Sequence, residues 1–243
     1  MKDFSHVDNF TGYMRKVREI LNENGSLGQT ILDMPAGNGK FSESLRHDGF
    51  DVISADINQE KPHFVYANME AKRLPFDDHS FDWTICMEGI EHVMSPSHLV
   101  AELCRVTKPT GRVIITTPNV QNFYSRLKFL FSGVLYMFEP ETTRHPAGKL
   151  MDRGHISPMT FPSLCYLFAE HGFEVQQVTG DKFKRKAYMP IYALLALVNA
   201  GIVWRRKSKY PFVESYRYLN QRELLLSRSL IGCWRRKATH DAT

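Results

Sequence analysis

Two acids bracket a glycine-containing turn in the stretch ILDMPAGNGKFSESL (residues 31–45) and the segment after it. Asp33 ends an apolar run, Gly37 and Gly39 follow, and Asp56 ends the next apolar run, DVISAD. Glycines in a strand–turn–helix let backbone N–H groups approach a polar ligand at a helix N-terminus. The acids add acceptors: a carboxylate at Asp56 can take both hydroxyls of a ribose, and one at Asp33 can hold a cationic amino-acid moiety, directly or through water. Farther along, Asn68, Glu88 and Asn119 also close apolar segments. The stretches EGIEHV (88–93) and DRGHISP (152–158) then supply Glu91, His92 and His155. Histidine is the side chain best suited to accept a proton near pH 7, so His155 and His92 are candidate general bases, with Glu91 a candidate orienting partner.

The elements that must position these residues alternate in type. Residues 11–24 have helical spacing, and the glycine turn opens onto a helix that ends at Gly49. DVISAD reads as a strand, HFVYAN (63–68) as a weaker one, and FDWTICM (81–87) as a buried one. Residues 96–107 form an amphipathic helix with Pro96 in its first turn, and GRVIITTPN (111–119) is a third strong strand. A helix over 160–171, a strand over 173–179 and a final strand within LLLSRSLIGCWRRK follow. Near-continuous apolar strands alternating with helices predict an α/β doubly wound, mostly parallel, seven-stranded sheet with helices on both faces. Ligands of such sheets bind beyond the carboxyl ends of the strands, where Asp33, Asp56, Asn68, Glu88 and Asn119 fall. The chain reads as a single domain over 1–243, with apolar insertions at about 120–159 and 182–223.

Composition bounds the class. A chain of 243 residues, 43% hydrophobic and 23% charged, folds into a globular body rather than remaining disordered. Its net charge of +5 comes largely from KFKRK (182–186), WRRKSK (204–209) and WRRK (234–237), a basic excess suited to an anionic partner or membrane surface. Cys86, Cys104, Cys165 and Cys233 lack metal-ligand spacing, and no Cys/His cluster suggests a metal. The opening MKDFSHVDNF lacks the apolar core of a signal peptide, which predicts a cytoplasmic protein. Residues 187–204 are 18 nearly uncharged residues between basic flanks, with Tyr188, Tyr192 and Trp204. They read as a core helix, an interfacial helix or a span, and the flanks favour the interface, hence peripheral membrane contact.

The turn excludes two ligands. A phosphate-binding P-loop would need Gly at Met34 and Ser or Thr at Phe41, and a dinucleotide fingerprint would need Gly at Ser42. What remains suits a ligand with a ribose, a cationic amino-acid end and no phosphate, such as S-adenosylmethionine. Read together, ILDMPAGNGKFSESL, DVISADIN, LPFDDHSFDWTICMEGIEHV and RVTKPTGRVIITTPN resemble a class I S-adenosylmethionine-dependent methyltransferase. The likeness is to the small-molecule O-methyltransferases of ubiquinone biosynthesis and to polysaccharide-associated methyltransferases. It covers about 28–119 and 152–179, and departs from the family at Pro35–Ala36.

The resemblance implies Asp33, Gly37 and Gly39 around the methionine part of S-adenosylmethionine, Asp56 at the ribose and Ile57 beside the adenine. It implies Asn68 and Met69 at the adenine edge, and Glu88 lining the methionine end. It further implies methyl transfer to a small-molecule or lipid-linked hydroxyl, a glycan in the first instance and a quinone or isoprenoid as the alternative. A nicotinamide oxidoreductase lacks its third glycine here. A nucleic-acid methyltransferase lacks its [DN]PP[YF] motif, so no nucleic-acid partner is expected. A non-catalytic cofactor-binding protein stays open. His145 and His171 read as surface or packing residues.

Overall fold

The computed structural model describes residues 10–139, 154–183, 189–209 and 214–237. Seven strands form one sheet: β1 (Thr30–Asp33), β2 (Asp51–Asp56), β3 (Val65–Tyr66), β4 (Phe81–Met87), β5 (Thr107–Pro118), β6 (Phe173–Gly180) and β7 (Ser229–Arg236). Their order is β3-β2-β1-β4-β5-β7-β6. Neighbours from β3 to β5 run parallel, whereas β7 is antiparallel to both β5 and β6. The expected mostly parallel seven-stranded sheet is present, and β7 makes it mixed.

Helices α1 (Gly12–Asn24), α2 (Lys40–His47), α3 (Pro96–Val106), α4 (Phe123–Ser132), α5 (Phe161–Glu170), α6 (Met189–Lys209) and α7 (Arg222–Leu226) surround the sheet. Alternate strand residues feed two apolar layers. Ile31, Trp83 and Ile85 pack with Val17, Leu21, Phe41 and Leu45 of α1 and α2. Leu32, Cys86, Val113 and Ile115 pack on the other face with Leu99 and Leu103 of α3 and Phe161, Leu164 and Phe168 of α5. Phe168 also stacks on Trp234 of β7, ring centroids 4.3 Å apart. Both faces are thus covered, as a sheet with apolar residues on alternate sides requires.

Two strands differ from the sequence reading. β5 begins at Thr107 rather than 111. Its first residue pairs with Phe81, and the register then shifts so that Trp83 faces Arg112. A Cβ on Gly111 would lie 2.7 Å from Thr107 Cγ2 and 2.9 Å from the Asp82 carbonyl, so that irregularity needs a glycine. β3 shrinks to two residues, held only to Ala55 and Asp56 of β2.

Where the alternation broke down in the sequence, the structure places helices. Asn122 Oδ1 accepts from the Ser125 amide to start α4, and Gly133, in the left-handed region at φ 68°, ends it. The apolar stretch at 187–204 contributes α6 from Met189 onward; residues 184–188, and with them Tyr188, lie outside the described residues. In α6 Tyr192 is buried, whereas Ile191, Leu194, Leu197, Val198, Ile202 and Trp204 are exposed. Exposure on that scale excludes the core-helix reading. Among the described residues no helix is long and apolar enough to cross a membrane, which removes the spanning reading for α6.

Candidate active site

The parallel strands β1, β2, β4 and β5 end at one edge of the sheet, and that edge collects the polar residues. Register sets Asp33 beside Ser54 on one side and Ile85 on the other, and Met87 beside Thr116. Gly39, at φ 77°, is the N-cap of α2. The helix N-terminus therefore points at the loop that joins it to β1, as anion- and dipole-binding turns do.

Asp56 organises this turn. Its Oδ2 accepts from the Gly37 amide at 2.9 Å and its Oδ1 from the Asn58 amide at 2.8 Å. The Gly37 N–H expected to face a ligand is therefore already donated to Asp56. What Gly37 leaves open is space: it sits at φ 54°, and a Cβ there would meet no heavy atom within 4 Å. The Ile57 amide also bonds this carboxylate, so three of its four lone-pair sites are engaged from within and one stays open to a hydroxyl. Burial raises the Asp56 carboxyl, and the donated amides oppose that rise.

Asp33 lies deeper than expected. It is fully buried, so direct pairing with a ligand is closed to it in this conformation. Ser42 Oγ donates to its Oδ2 at 2.5 Å, while Oδ1 is buried with no hydrogen-bond partner. Burial pushes this carboxyl up to about 7. Ser42 occupies the position whose lack of glycine argued against a dinucleotide. Its hydroxyl instead ties α2 to the end of β1. Pro35 follows a cis Met34–Pro35 bond and packs on the Cα of Gly89, where a Cβ would come within 2.7 Å of Pro35 Cδ. The departure at Pro35–Ala36 thus joins the loops after β1 and β4.

Of the other expected residues, Ile57 is half-buried just past β2. Asn68 turns its Oδ1 onto the Glu70 amide at 2.9 Å, and half-buried Met69 packs against the apolar core. Asn119 is not available to a ligand. Its amide nitrogen donates to the Leu224 and Ser227 carbonyls and its Oδ1 accepts from Gln121, so it ties β5 to the segment after α7.

Glu88 is the strained residue of the edge, at φ 47° without being glycine. Its amide donates to the Thr116 carbonyl at 3.0 Å and its carboxylate accepts from Thr116 Oγ1 at 2.9 Å. Burial raises its pKa, against that hydrogen bond and the charge of Arg228. Tyr13 of α1 shares the neighbourhood: burial and the Glu88 charge push its phenol up to about 12. No motif singled out Tyr13, Thr116 or Ser42, because their roles arise from strand register and from the way α1 and α2 cross the sheet.

Just beyond, Ile90–His92 form a 3₁₀ turn. The amides of Ile156 and Ser157 both donate to the Glu91 carbonyl, and Ser157 Oγ donates to the Val93 carbonyl, docking residues 154–157 on that turn. His92 and His155 thereby meet edge to face, ring centroids 4.8 Å apart. His92 Nδ1 lies 2.9 Å from the Gly154 carbonyl, and His155 Nδ1 lies 2.7 Å from that of Met137. A carbonyl only accepts, so each Nδ1 carries a proton toward it, and Nε2 is the atom of each ring that could take up another. Ligand atoms of buried Glu91 and of half-buried His92 and His155 lie within 4.8 Å of one another. The sequence suggested no metal constellation because these residues converge only in space; the donor set is of a kind that also accepts a divalent cation. His171 is exposed, and His145 lies outside the described residues.

The residues fit S-adenosylmethionine on three observations. They are the open Cα face of Gly37 over the helix N-terminus, the remaining acceptor site of Asp56, and the unpaired buried oxygen of Asp33, which favours a cation above it. The comparisons agree. The model of the methyltransferase domain family matches residues 10–178. A demethylmenaquinone methyltransferase of Paenarthrobacter aurescens (strain TC1) is 33% identical over 114 residues, 43% of this chain and 45% of the relative. A ubiquinone biosynthesis O-methyltransferase of Aliivibrio fischeri (strain ATCC 700601 / ES114) is 30% identical over 112 residues, 40% of this chain and 47% of the relative. The chain thus spans less than half the length of these curated relatives. A SAM-dependent methyltransferase from Archaeoglobus fulgidus shares the fold, with TM-score 0.59 at 15% identity, covering 96% of this chain and all of that one. With 10–178 matched, the chain belongs to the methyltransferase domain family, of the class I type that uses S-adenosylmethionine.

Proposed function

We propose that this chain transfers a methyl group from S-adenosylmethionine to a hydroxyl of a lipid-linked small molecule, a glycan in the first instance. The observation that carries the reading is the convergence of Glu91, His92 and His155 beside Glu88, at the edge that holds the cofactor residues. When bound, S-adenosylmethionine supplies an electrophilic methyl on a sulfonium. Asp56 accepts the ribose hydroxyls, Gly37 gives the methionine part its space, and Asp33 sets a negative potential beneath it. Ile57, Asn68 and Met69 flank the adenine, and Glu88 lines the methionine end.

The acceptor needs alignment with the methyl and loss of its proton. His155 Nε2 takes that proton, or His92 Nε2 does, since each Nδ1 donates to a carbonyl. Glu91, buried beneath them, stabilises the imidazolium that forms. The exposed apolar side chains of α4 and α6, with the basic end Arg205, Arg206, Lys207 and Lys209, support presentation of the acceptor at an anionic membrane surface. A quinone acceptor is the second reading, favoured by the names of the two quinone-pathway relatives.

The test is incubation with methyl-labelled S-adenosylmethionine and a cell-envelope lipid extract, followed by identification of the labelled product. Label on a sugar hydroxyl supports the first reading, and label on a quinone ring supports the second. A chelator arm belongs in the same assay. An unchanged rate supports proton removal by histidine, whereas a loss restored by magnesium makes the cluster a cation site instead.

A further inference from the structure

A groove of about 360 Å³ runs between α4 and α6. Phe123, Leu127 and Leu130 of α4 line one wall, and Leu195, Val198 and Ile202 of α6 line the other. These positions recur at helical spacing, so each helix presents one apolar stripe to the other. One cation interrupts the stripes. Arg126 lines the groove, with its guanidinium over the Phe123 ring at 5.3 Å. Its Nε donates to the Gln121 carbonyl and its Nη1 to Asn199 Oδ1, but no carboxylate among the described residues pairs with it. Burial alone lowers its pKa, with no acidic neighbour to offset that cost. A half-buried guanidinium without a counter-charge, in an apolar groove, is stabilised by an anion that arrives with an apolar body. The second amino group of the fork remains to meet it. One turn past Ile202, the same face of α6 carries Arg205, Arg206 and Lys209, which line an adjoining cavity and extend the positive potential toward the groove.

We propose that the α4–α6 groove binds the lipid carrier of the acceptor, an alkyl or isoprenoid chain bearing a phosphate, with the chain against the two apolar stripes and the phosphate on Arg126. This rests on the lipid-linked acceptor proposed above and adds where its lipid phosphate is held. The structure links the groove to the candidate bases. Gln121, whose carbonyl holds Arg126, also takes the Phe161 amide on its side chain. Ser125 Oγ takes the Tyr136 amide, and the following Met137 carbonyl holds His155. The α4 wall of the groove is thus hydrogen-bonded to the segment that holds His155. A bilayer phospholipid has no reason to need that link.

Isothermal titration with decyl phosphate, below its micelle concentration, tests the proposal, with S-adenosylhomocysteine titrated in parallel. Wild type should bind decyl phosphate at least tenfold more tightly than 1-decanol, and inorganic phosphate should give no heat. Arg126→Met should lose that tenfold preference while keeping its affinity for S-adenosylhomocysteine. Val198→Trp, which fills the groove from an exposed position, should block decyl phosphate and spare the cofactor even if Arg126→Met fails to fold. Equal affinity for decyl phosphate and decanol overturns the proposal, as does decyl phosphate binding that survives Val198→Trp. Phosphatidylglycerol vesicles that need Arg126, where decyl phosphate does not, also overturn it. Failure of S-adenosylhomocysteine to bind would instead sink the methyltransferase reading and leave the groove result standing on its own.

Discussion

The strand-end edge and the α4–α6 face solve opposite problems with the same chain. At the edge, polar groups are buried and mostly satisfied from within. Asp56 holds Gly37 and Asn58, Ser42 holds Asp33, and Thr116 holds Glu88. On the α4–α6 face, apolar groups are left outside: Phe129, Leu130, Phe131, Leu194, Leu197 and Trp204 are all exposed. The first region buries its polar groups and leaves one Asp33 oxygen without a partner, whereas the second leaves its apolar groups exposed. The difference places the polar groups proposed for the cofactor on the sheet and the surface proposed for the acceptor on the helices added to it, a division that suits a rigid scaffold with variable connections.

The largest break in the comparison comes from the acceptor side of the chemistry. His155→Ala should lower turnover by the 10²–10⁴-fold typical of a lost general base, with S-adenosylhomocysteine affinity unchanged in calorimetry. His92→Ala tests the other ring in the same assay. Wild-type turnover in both would leave positioning, or a carboxylate such as Glu91, as the source of rate.

A smaller effect should follow from pH. Asp33 titrates at about 7 in the folded chain against an ordinary 3.8. The native state therefore holds a proton that the unfolded chain has already released between about 4 and 7. Without ligand, this carboxyl stabilises the fold fully below that window, and the contribution is lost as pH rises through about 7. A cation above the site prefers the ionised form. S-adenosylhomocysteine affinity should thus climb by up to about tenfold per pH unit toward 7 and then level off. Asp33→Asn should flatten that profile. A profile that is equally steep in the variant assigns the titration to another group.

The smallest expected effect is on stability. Leu194→Ser with Leu197→Ser alters exposed side chains, so the unfolding free energy should change by no more than about 0.5 kcal/mol per substitution. The same double variant should lose sedimentation with anionic vesicles. Marked unfolding would show that α6 is packed more tightly than its exposure indicates.

Much of the edge was legible because its signals are local. Strand ends, glycines and acids stand at fixed order in the sequence, and parallel register then forces them together. Asn119 shows the limit of that logic: it ends a strand as Asp33 does, yet its amide is consumed by the Leu224 and Ser227 carbonyls, more than a hundred residues away in the chain. Ser42 shows the reverse. It looked like a failed glycine and proved to be a partner of Asp33, because the spacing of α2 on β1 cannot be read from the turn alone. The Glu91–His92–His155 convergence was half visible, in two motifs whose contact depends on residues 154–157 docking on a 3₁₀ turn. For α6, composition gave the apolar body and the basic end, but only packing could show which side chains remain outside.

The most direct measurement titrates S-adenosylhomocysteine into two variants, one from each region. Asp56→Ala removes the acceptor proposed for the ribose hydroxyls and releases the Gly37 amide. Charge-assisted hydrogen bonds contribute about 1.5–3 kcal/mol, so affinity should fall tenfold or more with the fold intact. The Leu194→Ser, Leu197→Ser variant should bind as wild type does. Unchanged affinity in Asp56→Ala, or a loss confined to the α6 variant, would contradict the assignment of the cofactor to the strand-end edge.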